Sequence, residues 1–319
     1  MKTYSKNARN VTFKCAMAMI FFASAIFSAH EMSAAQDSIG DGKSLKIYSD
    51  NKKYGFKDAN ENIVIPAIYT DVREFSEGYA AVNTGGKLRN VKVSDAFGSF
   101  PAMYTKKITG GKWGFVDVTG KEIAPCKYEY VDNFSNNRAL VKSRKLYGFI
   151  DETGNEICPL KYDDAGTFCD NRAWVKSKKL YGYINETGNE IIPLKYNGAN
   201  DFSEGLALVS LNGKYGFVDK TGNESIPLEY DFARSFSEGL AAVNIGGQWS
   251  SIDPEFSAVF GNALQGYVSF KGGKWGFINT KGEVVIPLIY DNAESFGKGA
   301  AQVILNGSPQ AIDKPQENE

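Results

Sequence analysis

The chain has 319 residues, a formal charge of −1, and 43% hydrophobic and 13% aromatic residues. This near-neutral balance supplies no global field for nucleic acid or an anionic membrane. The 33 glycines against 10 prolines indicate many turns rather than a proline-rich disordered chain.

The first segment, residues 1–35, has the order of a secretory signal peptide. Lys2, Lys6, Arg9 and Lys14 form a basic start, residues 15–29 are uncharged and largely apolar, and Ser33-Ala34-Ala35 precede Gln36. The apolar run is shorter than the roughly 20 residues that span a bilayer as a helix. Thr12-Phe13-Lys14 before Cys15 lacks the small and aliphatic residues of a lipoprotein cleavage site. The mature chain is therefore expected to be exported, as a periplasmic, cell-surface or secreted protein, with residues 36–43 as a linker. Cleavage removes four basic residues and one acidic residue from totals of 36 and 37, leaving a net charge of −4. It also removes the single histidine, His30. Without it there is no Ser-His-Asp triad, Cys-His pair or His-ligated metal to consider.

Beyond residue 43 the sequence is periodic. An aromatic-Gly-aromatic triplet begins at Tyr54, Trp113, Tyr147, Tyr181, Tyr215 and Trp275, with a spacing of 34 residues from Trp113 to Tyr215. Twelve residues after each start stands a proline (Pro66, Pro125, Pro159, Pro193, Pro227, Pro287). A tyrosine follows three residues later, and a phenylalanine (Phe75, Phe134, Phe168, Phe202, Phe236, Phe296) stands 21 residues after the start. Such a fixed period marks tandem units that bury their apolar faces only by stacking. Two shorter segments, near 88–112 and 249–274, lack the Pro-x-x-Tyr step and carry Phe97-Gly98 and Phe260-Gly261. They read as degenerate units, for eight in all across 44–307. Residues 308–319 read as a polar tail.

These motifs resemble the WG-repeat (KWG-repeat) proteins of bacteria. The resemblance rests on the Trp/Tyr-Gly-Phe triplet, the Asp-x-x-Gly turn, the Ile-Pro step and segments such as Phe75-Ser76-Glu77-Gly78. It implies an architecture rather than an activity, because such a family is defined by its repeat.

Within one unit the pattern predicts three antiparallel strands. Residues 206–211 form the first, Asn212-Gly213 the hairpin turn and residues 214–218 the second. Asp219 and Gly222 bracket the next turn, and residues 224–228 form the third strand. Pro227 lacks an N–H and confines that strand to an edge. Tyr215 is expected in the core. Both faces of the small sheet are apolar, so each sheet must be sandwiched. The fold class is thus all-β: tandem units of about 34 residues, each a three-stranded antiparallel meander, arranged as a propeller-like closed ring or an open β-solenoid. Eight units favour the ring, which would leave no exposed edges.

Candidate chemistry is sparse. The Asp-x-Thr-Gly segments at Asp117, Asp151 and Asp219 occupy the same turn in successive units. They read as turn formers, as do carboxylate pairs such as Asp151 with Glu156. No catalytic residue, metal site or cofactor is expected. Cys126, Cys158 and Cys169 allow at most one disulfide, and Cys126 and Cys158 stand where other units have aliphatic residues. The distinctive feature is a basic ladder in two consecutive first strands: Arg138, Lys142 and Arg144, then Arg172, Trp174, Lys176 and Lys178, with Lys145 and Lys179 at the turns. Cations in register around a tryptophan point to an anionic surface on a protein or a cell-envelope glycan as partner. The function expected is a non-catalytic binding or scaffold module outside the cytoplasm, with a purely structural spacer as the alternative. N-terminal sequencing of the exported protein should begin at Gln36; a product starting near Met1 would exclude the leader.

Overall fold

The computed structural model describes residues 45–93, 103–251 and 268–316. The leader, the linker, Phe97-Gly98 and Phe260-Gly261 lie outside them. Every regular element among the described residues is a β-strand. No helix there is long and apolar enough to cross a membrane.

One unit shows how the sequence builds the sheet. Leu206–Leu211 pairs with Lys214–Asp219, and that strand with Glu224–Tyr230. The connecting residues Asn212 and Gly213 have φ of 52° and 79°, the left-handed pair a two-residue hairpin turn requires. At the next turn the Asp219 carboxylate accepts hydrogen bonds from Thr221 N (2.8 Å), Thr221 Oγ1 (2.6 Å) and Asn223 N (3.0 Å). The Glu224–Tyr230 strand is an edge, as Pro227 demands. A fourth strand, Gly198–Ser203, pairs on the other side of Leu206–Leu211. Its counterparts are only two residues long, such as Tyr130–Val131 and Phe232–Ala233. So short a strand carries no alternation to read, so the sequence pattern shows three strands where the sheet has four.

The triplet glycine has a specific role. Phe217 pairs with Ile226 and Tyr215 with Tyr230, so Gly216 alone faces the bulged residues 227–229. A Cβ on Gly216 would lie 2.6 Å from the Ile226 carbonyl oxygen and 2.7 Å from the Pro227 carbonyl carbon. The same Ile-Pro or Ala-Pro or Cys-Pro backbone crosses Gly55, Gly114, Gly148, Gly182 and Gly276. The glycine of the triplet and the proline eleven residues later are thus two halves of one contact.

Among the described residues seven sheets stack in sequence order with an apolar layer between each pair. Between the sheets of residues 130–162 and 164–196, Leu140, Phe149, Cys158 and Tyr162 meet Ala165, Ala173, Val175 and Ile184. The recurring phenylalanine inserts there, and Phe149 meets Phe168 edge-on at 5.1 Å. The equivalent pairs lie 4.7 to 5.1 Å apart: Phe56–Phe75, Phe115–Phe134, Tyr183–Phe202, Phe217–Phe236 and Phe277–Phe296. The fully buried ring of the triplet is therefore its second aromatic. Tyr215, expected in the core, is half-buried against Phe232.

Hydrogen bonds tie the stack along the Phe-Ser-Glu-Gly segments. Ser76 Oγ donates to Phe134 O (2.9 Å), Ser135 to Phe168 (2.9 Å), Ser203 to Phe236 (2.9 Å) and Ser237 to Phe296 (2.7 Å). Glu204 and Glu238 accept from the N–H groups of Gly239 and Gly299 in the next segment, each at 2.9 Å. Cys169 stands in this column in place of a serine. All three described cysteines are free, and Cys158 is a small core residue packed on Phe149.

The ends of the array decide between ring and solenoid. In the first sheet, by strand register, Lys46, Tyr48 and Lys57 hold the places that Ala139, Val141 and Ile150 fill with core. In the last, Gln302 and Ala311 replace Leu140 and Phe149 and are exposed. Polar terminal faces cap a repeat stack and supply no apolar layer to close it. The arrangement is open and solenoid-like, not the closed ring that eight units favoured.

Two further expectations change. The segments near 88–112 and 249–274 run as hairpin arms rather than as layers of the stack. Tyr79–Thr84 pairs directly with Lys112–Asp117, and Lys87–Val93 with Met103–Thr109 beyond it. Likewise Leu240–Ser251 and Val268–Asn279 pair along a ribbon that outgrows its sheet. The polar tail begins later than 308, because Ser308–Asp313 is the last strand. Ile304 opposite Pro309 follows the closing pair Leu305–Ser308, so the proline nitrogen faces the free edge, where no N–H is needed.

Denaturant melts check the packing. Phe217→Ala should cost about 3–5 kcal/mol and Gly216→Ala about 2–4 kcal/mol, through a cavity and a backbone clash respectively. Tyr215→Ala should cost less than Phe217→Ala; the reverse order would place the buried column on the wrong ring.

Candidate functional site

The seven residues of the basic ladder separate into three environments. The strand Arg138–Ser143 pairs with Leu146–Asp151, and Arg172–Ser177 with Leu180–Asn185. Arg138 starts its strand beside the Asp151-x-x-Gly154 turn and Arg172 beside the Asn185-x-x-Gly188 turn. Arg138 forms an ion pair with Glu152 (3.2 Å) and donates Nε–H to the Glu186 carbonyl of the next unit (2.9 Å). Arg172 repeats this with Glu186 (3.1 Å) and the Lys220 carbonyl (3.1 Å). The two guanidinium groups are clamps between neighbouring turns, already matched by carboxylate and carbonyl.

Trp174 is central in its strand and turns toward the stack. Its counterparts Leu140 and Leu208 are core, and it packs against the apolar layer formed with the following sheet. Its ring lies 5.6 Å from Tyr181. The alternate positions of the ladder are thus open to solvent only at the strand ends.

The remaining four come together at the hairpin-turn end, one strand length from the arginines. Lys142 sits 4.4 Å above the Tyr147 ring and donates to its hydroxyl (2.8 Å). Lys176 sits 4.9 Å above Tyr181, whose hydroxyl is the main influence holding its ammonium pKa above the ordinary value. Arg144 and Lys178 occupy the first turn position at φ of 49° each, followed by Lys145 at 69° and Lys179 at 71°. All four turn cations are exposed. Adjacent sheets stack about 10 Å apart, so the two turns form one rim. Asp163 accepts the Lys178 N–H (2.8 Å), and Asp164 stands opposite Lys176 in the register.

Pairing separates this rim from three other units. At the same end of those units Lys112 meets Glu129 (3.6 Å), Lys214 meets Asp231 (2.6 Å) and Lys274 meets Asp291 (2.7 Å). Lys52 and Lys53, at the first hairpin turn, are unpaired among the described residues but stand singly, without a second basic turn beside them. Among the described residues, none of Lys142, Arg144, Lys145, Lys176, Lys178 and Lys179 forms an ion pair. Nor does any group of three His, Cys, Asp or Glu residues there gather to hold a metal ion.

The repeat itself is identified by a family model for the WG containing repeat, which matches residues 54–87, 113–147, 147–181, 181–215, 215–249 and 275–308. The chain belongs to the WG-repeat family. No curated protein matches it. Each WG match straddles two sheets: 181–215 begins in the triplet strand Leu180–Asn185 of one sheet and ends in the triplet strand Lys214–Asp219 of the next. One WG repeat therefore contains no complete sheet.

The turn carboxylates of the WG units are structural. The Thr221 hydroxyl is the largest influence on Asp219, and with the N–H groups of Asn223 and Thr221 it lowers the carboxyl pKa to about 2. Asn185 and Asn279 accept the same backbone hydrogen bonds without a charge. The folded pKa lies below the ordinary value of roughly 3.9, so this turn's contribution is complete above about pH 4 and is lost as pH falls toward 2. Asp219→Asn should keep the turn and remove that part of the acid-unfolding profile. Asp219→Ala should cost about 1 kcal/mol at neutral pH; an acid profile unchanged in both variants would contradict the assignment.

Proposed function

We propose that this WG-repeat protein is an exported, non-catalytic binding scaffold whose cationic rim holds an anionic glycan of the cell envelope. One observation carries the reading: among the described residues six cations at two adjacent turns remain without ion pairs, while Lys112, Lys214 and Lys274 at the same end of three other units are matched by acids. Like charges held close are unfavourable unless solvated or met by an anion. Two rows about 10 Å apart suit a ligand with repeating charge better than a single small anion. Tyr130, 39% exposed and opposite Lys142, adds an aromatic surface beside the cations. Export rests on the basic, apolar and small-residue order of the first 35 residues.

The test is the double variant Lys142→Glu/Lys176→Glu, with binding to dextran sulfate measured at low and physiological salt. At physiological ionic strength the Debye length is roughly 8 Å, so native binding should weaken as salt rises. The variant should bind at least about tenfold more weakly while melting like the native protein. Undiminished binding by a folded variant would reduce the rim to a solvated face and remove this reading's support.

A further inference from the structure

The strands of the first hairpin arm are basic throughout. Its strands, Lys87–Val93 and Met103–Thr109, contain Lys87, Arg89, Lys92, Lys106 and Lys107 and no acidic residue. The whole chain is net −1. Register sets Arg89 opposite Lys107. Cations in directly opposed positions destabilise a ribbon that has no counter-ion.

Nothing in the stack requires this arm. Tyr79–Thr84 and Lys112–Asp117 already pair below it, and in residues 198–230 the two residues Asn212-Gly213 close the equivalent step. Lys87 and Arg89 are exposed, and Leu88 is 59% exposed. The second arm differs: Trp249 and Phe270 pack on Phe232 at 5.5 and 5.1 Å and hold it to its sheet. The base of the first arm is fixed by polar contacts instead. The buried Asn83 accepts from Thr70 Oγ1 (2.7 Å), which in turn accepts the Gly86 N–H (3.1 Å).

The arm rises from the same edge as the rim, one sheet away. Lys112 at its base pairs with Glu129 (3.6 Å), whose N–H donates to the Lys142 carbonyl (2.8 Å). Seven residues of ribbon extend roughly 23 Å. A ribbon of that length exceeds the reach of a small anion. We infer that the arm and the rim together form one elongated site for a linear polyanion, with the arm lying along the chain that the rim grips. This inference rests on the proposed function and specifies the ligand as a polymer.

The experiment replaces residues 85–111 with Asn-Gly, the turn that closes residues 206–219. Binding to dextran sulfate is compared with unmodified dextran across a salt series, beside the Lys142→Glu/Lys176→Glu protein. The armless protein should melt like the native one and bind about tenfold or more weakly. Its slope of log K against log salt should be shallower by roughly 2–4, because fewer cations are neutralised. If the replacement does not fold, Lys87→Glu/Arg89→Glu in the full-length chain is measured for the same loss. Native affinity and slope in the armless protein would overturn the arm's role and leave the rim reading standing. Loss in the armless protein with none in the rim variant would overturn the rim and the shared site. Binding of native protein to vesicles of anionic lipid but not to dextran sulfate would overturn the polymer in favour of a membrane surface.

Discussion

A glycine α-carbon pressed against the bulged backbone before and at a proline is the contact on which the rest of this structure depends. The bulge lets the third strand of every sheet but the last pass three residues against one, so that Tyr230 returns beside Tyr215 while Ile226 stays beside Phe217. Any side chain at Gly216 would collide with main chain, which cannot rotate away as a side chain can. The proline suits the same place because an edge strand asks for no N–H there. With the bulge formed, the second aromatic of the triplet points into the layer below the next sheet. There it meets the phenylalanine that follows the third strand.

Stacking then takes over from pairing. Each WG repeat supplies parts of two sheets, so neither sheet is complete until the neighbouring repeat has folded against it. The serine and glutamate that follow the phenylalanine act across the same boundary, on the carbonyl and N–H groups of the next segment. These bonds explain why Phe-Ser-Glu-Gly recurs although its residues lie in a turn. Among the described residues the polar faces at Lys46, Tyr48 and Lys57, and at Gln302, end the stack.

A stack of this kind leaves little side-chain freedom except at strand ends and turns, and the charges are found there. Arg138 and Arg172 are absorbed into the framework by carboxylates and carbonyls of successive turns. The lysines and arginine at the opposite end lie over tyrosine rings or project from left-handed turns without an acid partner. One fold thus places two kinds of cation at the two ends of the same strands. The distinction arises from what stands opposite each in the neighbouring unit.

The period, the strand order, the hairpin turns and the edge position of the proline strand were legible in the sequence, since each depends on local backbone preference repeated at fixed spacing. So were the turn role of Asp219 and the core role of Cys158, because the units serve as each other's reference. Other features were decided by contacts between units. A two-residue strand has no periodicity of its own, and Phe217 rather than Tyr215 fills the core because of where Phe236 lies. The separation of Arg138 and Arg172 from Lys142 and Lys176 follows from acids and carbonyls of neighbouring turns. The arm of Lys87–Val93 and Met103–Thr109 looked like a weakened repeat, because spacing alone cannot show that the strands on either side of it pair directly. Closure, too, was left open by the period: a repeat length states how each unit meets the next, and only the polar first and last faces show that the two ends do not meet.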